Sequence, residues 1–220
     1  MTAPRQFDLI CFDWDGTLFD FTVLIVRSIQ RAVVDAGGRL PSREAAAYVI
    51  GLALPSALAQ AAPDVPPEKH PLLIERYRHH WMACQDEVVL FDGANELLAE
   101  LRARHHWLAV ATGKSRRGLD GALRLAGLQA AFDGSRTADE TAGKPSPLML
   151  HELMREFGCD PGRTLMIGDT THDLQMARNA GCCAVAVSYG AHDSPALAAL
   201  EPLHIAHSVS GLRRWLSQNA

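Results

Sequence analysis

Residues 7–18 read FDLICFDWDGTL, a short apolar run that leads into two aspartates and a glycine. The apolar part, residues 7–12, has the length and composition of a buried β-strand. Comparable runs at residues 108–112, 164–167 and 183–187 contain no charged residue, which is typical of parallel strands covered on both faces. We therefore predict a largely parallel sheet that contains these four strands.

Helical patterns with ordinary start and stop signals separate the later strands. They begin at serine or threonine, end at glycine, and cover residues 115–127, 146–158 and 171–181. This alternation of strand and helix predicts an α/β fold with an open, mostly parallel sheet.

The segment at residues 20–90 interrupts the alternation. It contains predicted helices at residues 21–36, 42–48, 55–62 and 68–87 and no convincing strand. The simplest interpretation is a helical insertion after the first strand. We predict a core made of residues 1–19 and 91–220, with an inserted helical domain at residues 20–90.

The composition is that of an ordinary globular protein: 220 residues, 48% hydrophobic and 21% charged, with a net charge of −4. Without a run of basic residues, nucleic acid and anionic membranes are unfavourable partners, and a small molecule is the expected one. The five cysteines form no C-x-x-C pair, so neither a disulfide framework nor a zinc site is expected. No signal peptide or membrane-spanning segment is predicted, and we expect a cytoplasmic protein that is a monomer or a homodimer.

Asp13 and Asp15 directly follow the first predicted strand, at the sheet edge where open α/β folds bind ligands. Aspartates at positions i and i+2 of an extended segment project to the same side, and Gly16 permits a tight turn whose amides can face an anion. This arrangement suits a nucleophile beside a proton donor. The alternative is an ordinary Asp-Gly turn with a capping aspartate.

Three further polar segments fall at the ends of predicted strands, at residues 111–115, 143–145 and 168–173. A hydroxyl, backbone amides and an ammonium can hold phosphate oxygens, and nearby carboxylates suit magnesium. Each segment alone is a weak signal: Lys144 could be a solvated loop lysine, and Asp169 could merely cap a helix.

The order of these residues resembles the four motifs of the haloacid dehalogenase-like hydrolases, most closely the phosphoglycolate phosphatase branch. The matching positions are Asp13-x-Asp15-Gly16-Thr17, Thr112, Lys144-Pro145 and Gly168-Asp169-x-x-x-Asp173. The helical insertion resembles the family's cap domain. The resemblance implies a Rossmann-like core, a magnesium requirement and a covalent aspartyl-phosphate intermediate.

The resemblance also implies roles for individual residues. Asp13 is the expected nucleophile, and Asp15 the general acid that later activates water. The hydroxyl of Thr112, the amide of Gly113 and the ammonium of Lys144 are expected to bind the transferring phosphoryl group.

For the magnesium ion, the resemblance implies ligation by the side chains of Asp13 and Asp169 and by the main-chain carbonyl of Asp15. Asp173 is expected to orient either the waters of the metal or Lys144. With carboxylates alone in this site, magnesium or manganese is favoured over zinc.

One departure from the family pattern is Gly113, because many relatives carry asparagine after the threonine. Since the family interaction there runs largely through the backbone amide, little loss of function is expected. We expect the side chain of Trp14 to point away from both aspartates and to pack near the cap hinge.

Residues 51–54 read GLAL and lie where relatives carry a substrate-specificity loop. Their small apolar character favours a compact substrate, although they could also be a simple turn. His172 is a candidate for the site entrance. Positive charge for a carboxylate could come from four residues that otherwise form a solvated helix face: Arg76, Arg78, His79 and His80.

The leading hypothesis is a magnesium-dependent phosphatase that hydrolyses a small phosphomonoester, with 2-phosphoglycolate as a candidate. A phosphosugar mutase of the beta-phosphoglucomutase type would use the same motifs but return the phosphoryl group to its substrate. Pyrophosphate hydrolysis also stays open. Haloalkanoic acid dehalogenation is disfavoured, because that chemistry requires neither magnesium nor an acid at the position of Asp15. Intact catalytic positions argue against a non-catalytic binding module.

Overall fold

The computed structural model describes residues 6–84 and 89–220. Six strands form one sheet: β1 (Leu9–Phe12), β2 (Trp107–Thr112), β3 (Gly134–Thr137), β4 (Thr164–Gly168), β5 (Cys183–Val187) and β6 (His204–Ala206). All neighbouring strands are parallel, in the order β3-β2-β1-β4-β5-β6. The predicted α/β class with a mostly parallel sheet is confirmed.

The centre of the sheet is β1, which pairs with β2 on one side and β4 on the other. Leu9 is in register with Trp107 and with Thr164, so the carboxyl ends of these three strands meet at one edge. The strand order reverses there, which creates the crevice in which open α/β sheets bind ligands.

Ten α-helices are formed by the described residues. Six of them follow residue 90: α5 (Ala94–Ala103), α6 (Arg116–Ala126), α7 (Leu148–Phe157), α8 (Thr171–Ala180), α9 (Ser194–Ala198) and α10 (Val209–Asn219). Three of them end, as predicted, at glycines in the left-handed conformation, Gly127, Gly158 and Gly181. The helix α8 begins at Thr171, as predicted, and its N-cap is Thr170, whose hydroxyl forms a capping box with the Asp173 carboxylate.

The segment between β1 and α5 is helical, as predicted. It consists of α1 (Thr22–Asp35), α2 (Arg43–Tyr48), α3 (Leu54–Ala61) and α4 (His70–Met82), which we call the helical segment. The last predicted helix, residues 68–87, is shorter than expected: a 3-10 turn at Pro67–Lys69 precedes α4, and residues 85–87 lie outside the described residues. No helix in the described part of the chain has the length and apolarity to cross a membrane.

The strands β1, β2, β4 and β5 are largely apolar because both faces of the sheet are covered there. Alternate residues of β1 point in opposite directions: Ile10 and Phe12 join one buried cluster, and Leu9 and Cys11 join another with residues of α7 and α8. The polar side chains that follow β1 therefore start from a rigid, fully buried strand.

Candidate active site

The loop after β1 packs directly on the loop after β4. Asp13 is 1% exposed, and its amide donates a hydrogen bond of 2.9 Å to the carbonyl of Ile167. The hydroxyl of Thr17 donates to Asp169 Oδ1 at 2.8 Å. Gly16 has a φ of +85°, and a Cβ there would lie 2.2 Å from Asp169 Oδ2. Only glycine therefore allows the first motif to approach Asp169 this closely.

Lys144 connects the first and fourth motifs. Its Nζ lies 2.5 Å from Asp13 Oδ1 and 2.6 Å from Asp173 Oδ1, and all three side chains are buried. Burial works against the charge of Lys144, but the two carboxylates outweigh it and raise the pKa of the ammonium. Lys144 is therefore a fixed cation in the site and not a solvated loop lysine.

The aspartates of the fourth motif are held by the backbone around them. Asp169 Oδ2 accepts a hydrogen bond from the amide of Ala191 at 2.7 Å. Asp173 Oδ2 accepts bonds from the amide and hydroxyl of Thr170 at 3.1 and 2.6 Å. Since Asp173 also contacts Lys144, its carboxylate both caps α8 and positions the ammonium.

Three buried aspartates, Asp13, Asp169 and Asp173, offer oxygens within 4.8 Å of one another, and this group can hold a metal ion. Burial raises the pKa of Asp13 to about 7, with the charge of Asp173 adding to the effect and Lys144 opposing it. Burial and the charge of Asp13 raise the pKa of Asp169 well above its usual range. Such a cluster holds more negative charge than Lys144 can balance.

One oxygen of this cluster has no protein partner. Asp13 Oδ2 is buried and accepts no hydrogen bond from the described residues, although Oδ1 of the same carboxylate is engaged by Lys144. An unpartnered buried carboxylate oxygen is costly. The donor set of carboxylate oxygens fits a hard divalent cation such as Mg²⁺ or Mn²⁺.

Asp15 faces a different cation. Its Oδ1 lies 2.9 Å from Nζ of Lys114, and the two side chains are 13% and 14% exposed. The same Nζ lies 5.0 Å from the ring centroid of Phe21 and 4.9 Å from that of Trp81, both in or beside the helical segment. The sequence assigns no role to Lys114, and its position two residues after Thr112 was the signal that could have identified it.

Thr112 and Gly113 lie at the carboxyl end of β2, where the sequence predicts a phosphate-binding loop. Thr112 is buried, and its hydroxyl accepts a hydrogen bond from the amide of Lys114 at 3.2 Å. A Cβ on Gly113 would lie 2.5 Å from the carbonyl oxygens of both Gly51 and Leu52. The departure at Gly113 thus has a steric reason: the loop after α2 rests directly on this glycine.

Two histidines fasten the end of α2 to the same region. Nε2 of His172 and Nε2 of His192 lie 2.8 and 3.0 Å from the carbonyl oxygen of Tyr48. The amide of Thr171 donates to Nδ1 of His192 at 3.0 Å, which leaves Nε2 of His192 as the donor to Tyr48. His172 had been predicted near the site entrance, whereas His192 lies far along the chain and carried no motif.

Three of the four other predicted positive residues, His80, Arg78 and His79, have partners or exposure that do not involve the aspartates of the site. His80 Nε2 contacts Asp35 Oδ2 of α1 at 2.8 Å, and Arg78 and His79 are exposed. Trp14 is fully buried and stacks on Phe19 at 4.6 Å, at the entry to the helical segment. Trp14 therefore packs beside the entry to the helical segment, as predicted.

The structure thus combines a parallel sheet with a buried carboxylate-lysine cluster at the carboxyl end of its central strand. The family model for haloacid dehalogenase-like hydrolases matches residues 10–187. The chain belongs to this family. The membership and the hydrolase class predicted from the motifs are confirmed.

Three relatives illustrate which branch of the family this chain is similar to. Probable phosphatase IndB of Dickeya dadantii is 37% identical over 207 residues, covering 92% of this chain and 90% of the relative. Pyrophosphatase PpaX of Bacillus velezensis is 30% identical over 212 residues and 96% of each chain. Phosphoglycolate phosphatase of Synechococcus elongatus is 27% identical over 209 residues, covering 95% and 97%. The likeness to phosphoglycolate phosphatases is confirmed.

Proposed function

We propose that the protein is a Mg²⁺-dependent phosphatase that hydrolyses a small phosphomonoester, with 2-phosphoglycolate as the first candidate, through an aspartyl-phosphate on Asp13. The observation that carries this proposal is the state of the Asp13 carboxylate. One of its oxygens is fixed by Lys144, and the other is buried without a partner among the described residues. Such a carboxylate is oriented and poorly solvated, as a nucleophile should be.

The phosphoryl group would bind where the polar groups of β1, β2 and the Lys144 loop meet. Its oxygens would accept hydrogen bonds from Lys144, the Thr112 hydroxyl and the Gly113 amide. The carboxylate of Asp13 would then attack the phosphorus atom. A divalent cation held by Asp13, Asp169 and the Asp15 carbonyl would offset the repulsion between carboxylate and phosphate. Asp173 would hold Lys144 in place, consistent with their 2.6 Å contact.

Asp15 would act as general acid and base. Its carboxyl would give a proton to the leaving oxygen while the bond from phosphorus to that oxygen breaks, and would then take a proton from the water that hydrolyses the acyl-phosphate on Asp13. Inorganic phosphate and the free alcohol leave, and both carboxyl groups return to their starting state.

We further propose that the helical segment is a cap, with the core formed by residues 1–19 and 91–220 and the cap by residues 20–90. The contacts of the Gly51 and Leu52 carbonyls with the Gly113 region, and of Tyr48 with His172 and His192, support this. A cap seated this closely excludes water and favours a compact substrate.

The activity test is phosphate release from a panel of phosphorylated metabolites with Mg²⁺ present. Sustained release over many turnovers supports the phosphatase, whereas retention of the phosphoryl group in an isomerised product would identify a phosphosugar mutase. Pyrophosphate belongs in the panel because a relative of 30% identity is a pyrophosphatase.

None of the five cysteines, all within the described part of the chain, forms a disulfide, which supports the proposed cytoplasmic setting.

Removal of metal should abolish activity, and addition of MgCl₂ should raise the melting temperature. At a concentration of 100 Kd the expected stabilisation is about 2.7 kcal/mol, or roughly 5–10 °C for a chain of this length. Because the raised pKa values of Asp13 and Asp169 let protons compete with the metal, the increment should shrink as pH falls from 8 to 6.

Two variants control this experiment. Asp169→Asn should lose the Mg²⁺-induced increase in melting temperature, whereas Asp120→Asn, in an exposed helix ion pair, should keep it. Full activity after exhaustive chelation, with no metal detected by elemental analysis, would remove the metal from the mechanism.

The contact at Gly113 gives a second prediction. Gly113→Ala should lower kcat/KM for a small phosphomonoester by roughly tenfold or more, because the added methyl group overlaps the Gly51 and Leu52 carbonyls and keeps the cap from seating. Gly121→Ala is the matched control, since a Cβ there meets nothing within 4 Å. Equal kcat/KM values for the two alanine variants would mean that this contact does not control access.

A further inference from the structure

Lys114 lies close to the candidate site but has no role in the proposed mechanism. It follows the phosphate-binding loop at the end of β2, and its Nζ is 2.9 Å from Asp15. Phe21 directly precedes α1, and Trp81 lies in α4. Their ring centroids are 5.0 and 4.9 Å from the same Nζ atom. The ammonium therefore stands where the core meets the helical segment.

This setting differs from that of an ordinary surface lysine. A lysine ammonium loses hydration when it is enclosed, and only an anion or the faces of aromatic rings compensate for that loss. Here both are present, and the side chain of Lys114 is only 14% exposed. Lys144, by contrast, forms ion pairs with the carboxylates of Asp13 and Asp173.

The direction of the leaving group follows from Asp15. If Asp15 protonates the leaving oxygen, the remainder of the leaving group must lie beside this carboxyl and point away from Asp13. Burial raises the pKa of the Tyr77 phenol in α4, and the charge of Asp15, which acts at this phenol, raises it further. The leaving group would thus meet Lys114, Tyr77 and the two aromatic rings.

We propose that Lys114 is a specificity-determining residue that binds an anionic group on the leaving group. The preferred substrates are then phosphoesters or phosphoanhydrides whose leaving group carries a carboxylate or a phosphate a few atoms from the scissile bond. This inference rests on the proposed phosphatase function and on the role of Asp15 as acid. In the resting site, Asp15 takes the place of the substrate anion against Lys114.

The geometry favours Lys114 over three of the cations predicted from the sequence, His80, Arg78 and His79. His80 is paired with Asp35 on α1, and Arg78 and His79 are exposed. Among the ion pairs of the described residues, the one that Asp15 makes is with Lys114. An anion beside the leaving oxygen would therefore meet this ammonium first.

The test compares two substrates of similar size whose leaving groups differ chiefly in this charge. 2-Phosphoglycolate and 2-hydroxyethyl phosphate have leaving groups of similar size, one ending in a carboxylate and the other in a hydroxyl. The wild-type enzyme should prefer 2-phosphoglycolate, and Lys114→Met should lower kcat/KM for it by about 10- to 100-fold, the expected effect of losing a charged hydrogen bond. The effect on 2-hydroxyethyl phosphate should be no more than about threefold.

Three further arms sharpen the result. Pyrophosphate replaces the carboxylate by a phosphate and shows which anion Lys114 serves. Lys114→Arg keeps the charge and should retain a preference for the anionic substrate. Lys69→Met is the matched control, because the ammonium of this lysine donates to the carbonyl of Ala36 within the helical segment, at 3.5 Å. This variant should behave like the wild type.

A measurement on the wild-type enzyme covers the case in which Lys114→Met does not fold. Glycolate should inhibit hydrolysis of p-nitrophenyl phosphate at concentrations where ethylene glycol does not, because only glycolate carries the anion. Equal inhibition by the two compounds would overturn the proposal.

The remaining outcomes are distinct. Equal losses of kcat/KM for both esters in Lys114→Met would make Lys114 a positioning residue for Asp15 and overturn the specificity role. A wild-type enzyme that prefers 2-hydroxyethyl phosphate would overturn it as well. Failure of the wild-type enzyme to release phosphate from any substrate with Mg²⁺ present would instead refute the phosphatase function itself.

Discussion

Replacement of Asp13 by asparagine is expected to lower kcat by roughly 10⁴-fold or more, because the amide keeps the shape of the side chain but has no nucleophilic charge. The measurement is steady-state phosphate release, with mass spectrometry to exclude deamidation. Asp120→Asn, on the exposed face of α6, should retain wild-type activity. Substantial turnover by a verified Asp13→Asn sample would assign the nucleophile elsewhere.

The same variant has a stability signature that separates loss of chemistry from loss of fold. Burial raises the pKa of Asp13 from 3.8 to about 7, so the folded protein binds this proton more tightly than the unfolded chain does. The metal-free protein therefore loses stability as pH rises towards and through 7. Asparagine has no such charge to bury, and Lys144 keeps Asp173 as its partner.

Asp13→Asn should accordingly melt at or above the wild-type temperature at pH 8 without metal, and the difference should decrease towards pH 6. Thermal unfolding of both proteins in the presence of a metal chelator, at pH 8 and at pH 6, measures this difference in melting temperature. A large fall in melting temperature at pH 8 would show that the Asp13–Lys144 ion pair stabilises the fold more than burial of the carboxylate costs.

The parts of the fold that were predictable are those encoded by local patterns. Four strands are apolar runs, and three helices end at glycines, so neither feature requires knowledge of distant contacts. β3 reads GSRT and β6 reads HIA, too polar or too short to be distinguished from loops. They are strands because β2 and β5 pair with them in parallel, with Thr112 of β2 in register with Thr137 of β3.

In the candidate site too, local patterns predict some contacts, whereas others depend on parts of the chain that are distant in sequence. Asp13 and Asp169 were predicted to meet because the ends of parallel strands share one edge of the sheet, and the family resemblance added Lys144 to them. The position of Lys114 two residues after Thr112 was a local signal for its pairing with Asp15, but its contacts with Phe21 and Trp81 depend on where the helical segment folds over that edge. His192 likewise reaches Tyr48 through a contact that spans 144 residues of the chain, and no local spacing encodes it.

Replacement of Asp15 by asparagine should separate the two aspartates of the first motif by the chemistry of the leaving group. An alkyl ester such as 2-phosphoglycolate releases an alkoxide, which needs a proton in the transition state, whereas p-nitrophenolate leaves without one. Loss of a general acid typically costs about 10²- to 10⁴-fold. We expect that loss for phosphoryl transfer from the alkyl ester and a much smaller one for p-nitrophenyl phosphate.

For the aryl ester, the second step should then become limiting. Water must still be activated to attack the acyl-phosphate on Asp13, and the same carboxylate is the proposed base for that proton transfer. The variant should therefore show a burst of about one p-nitrophenolate per active site, followed by slow turnover, the kinetic sign of an accumulating covalent intermediate. Rapid acid quenching and peptide mass analysis should locate the added phosphate on the peptide that contains Asp13.

Asp20→Asn, five residues further along the chain and exposed, is the control for the chemical change itself and should show neither the burst nor the trapped phosphate. Asp15→Asn also removes the partner of Lys114, so binding of an anionic substrate could tighten while its turnover falls. A lower KM together with a lower kcat for 2-phosphoglycolate would reflect both effects, because Lys114 then faces the substrate without a competing carboxylate. Equal impairment of both esters without a burst would mean that Asp15 mainly orders the loop or Lys114, and that another group serves as acid and base.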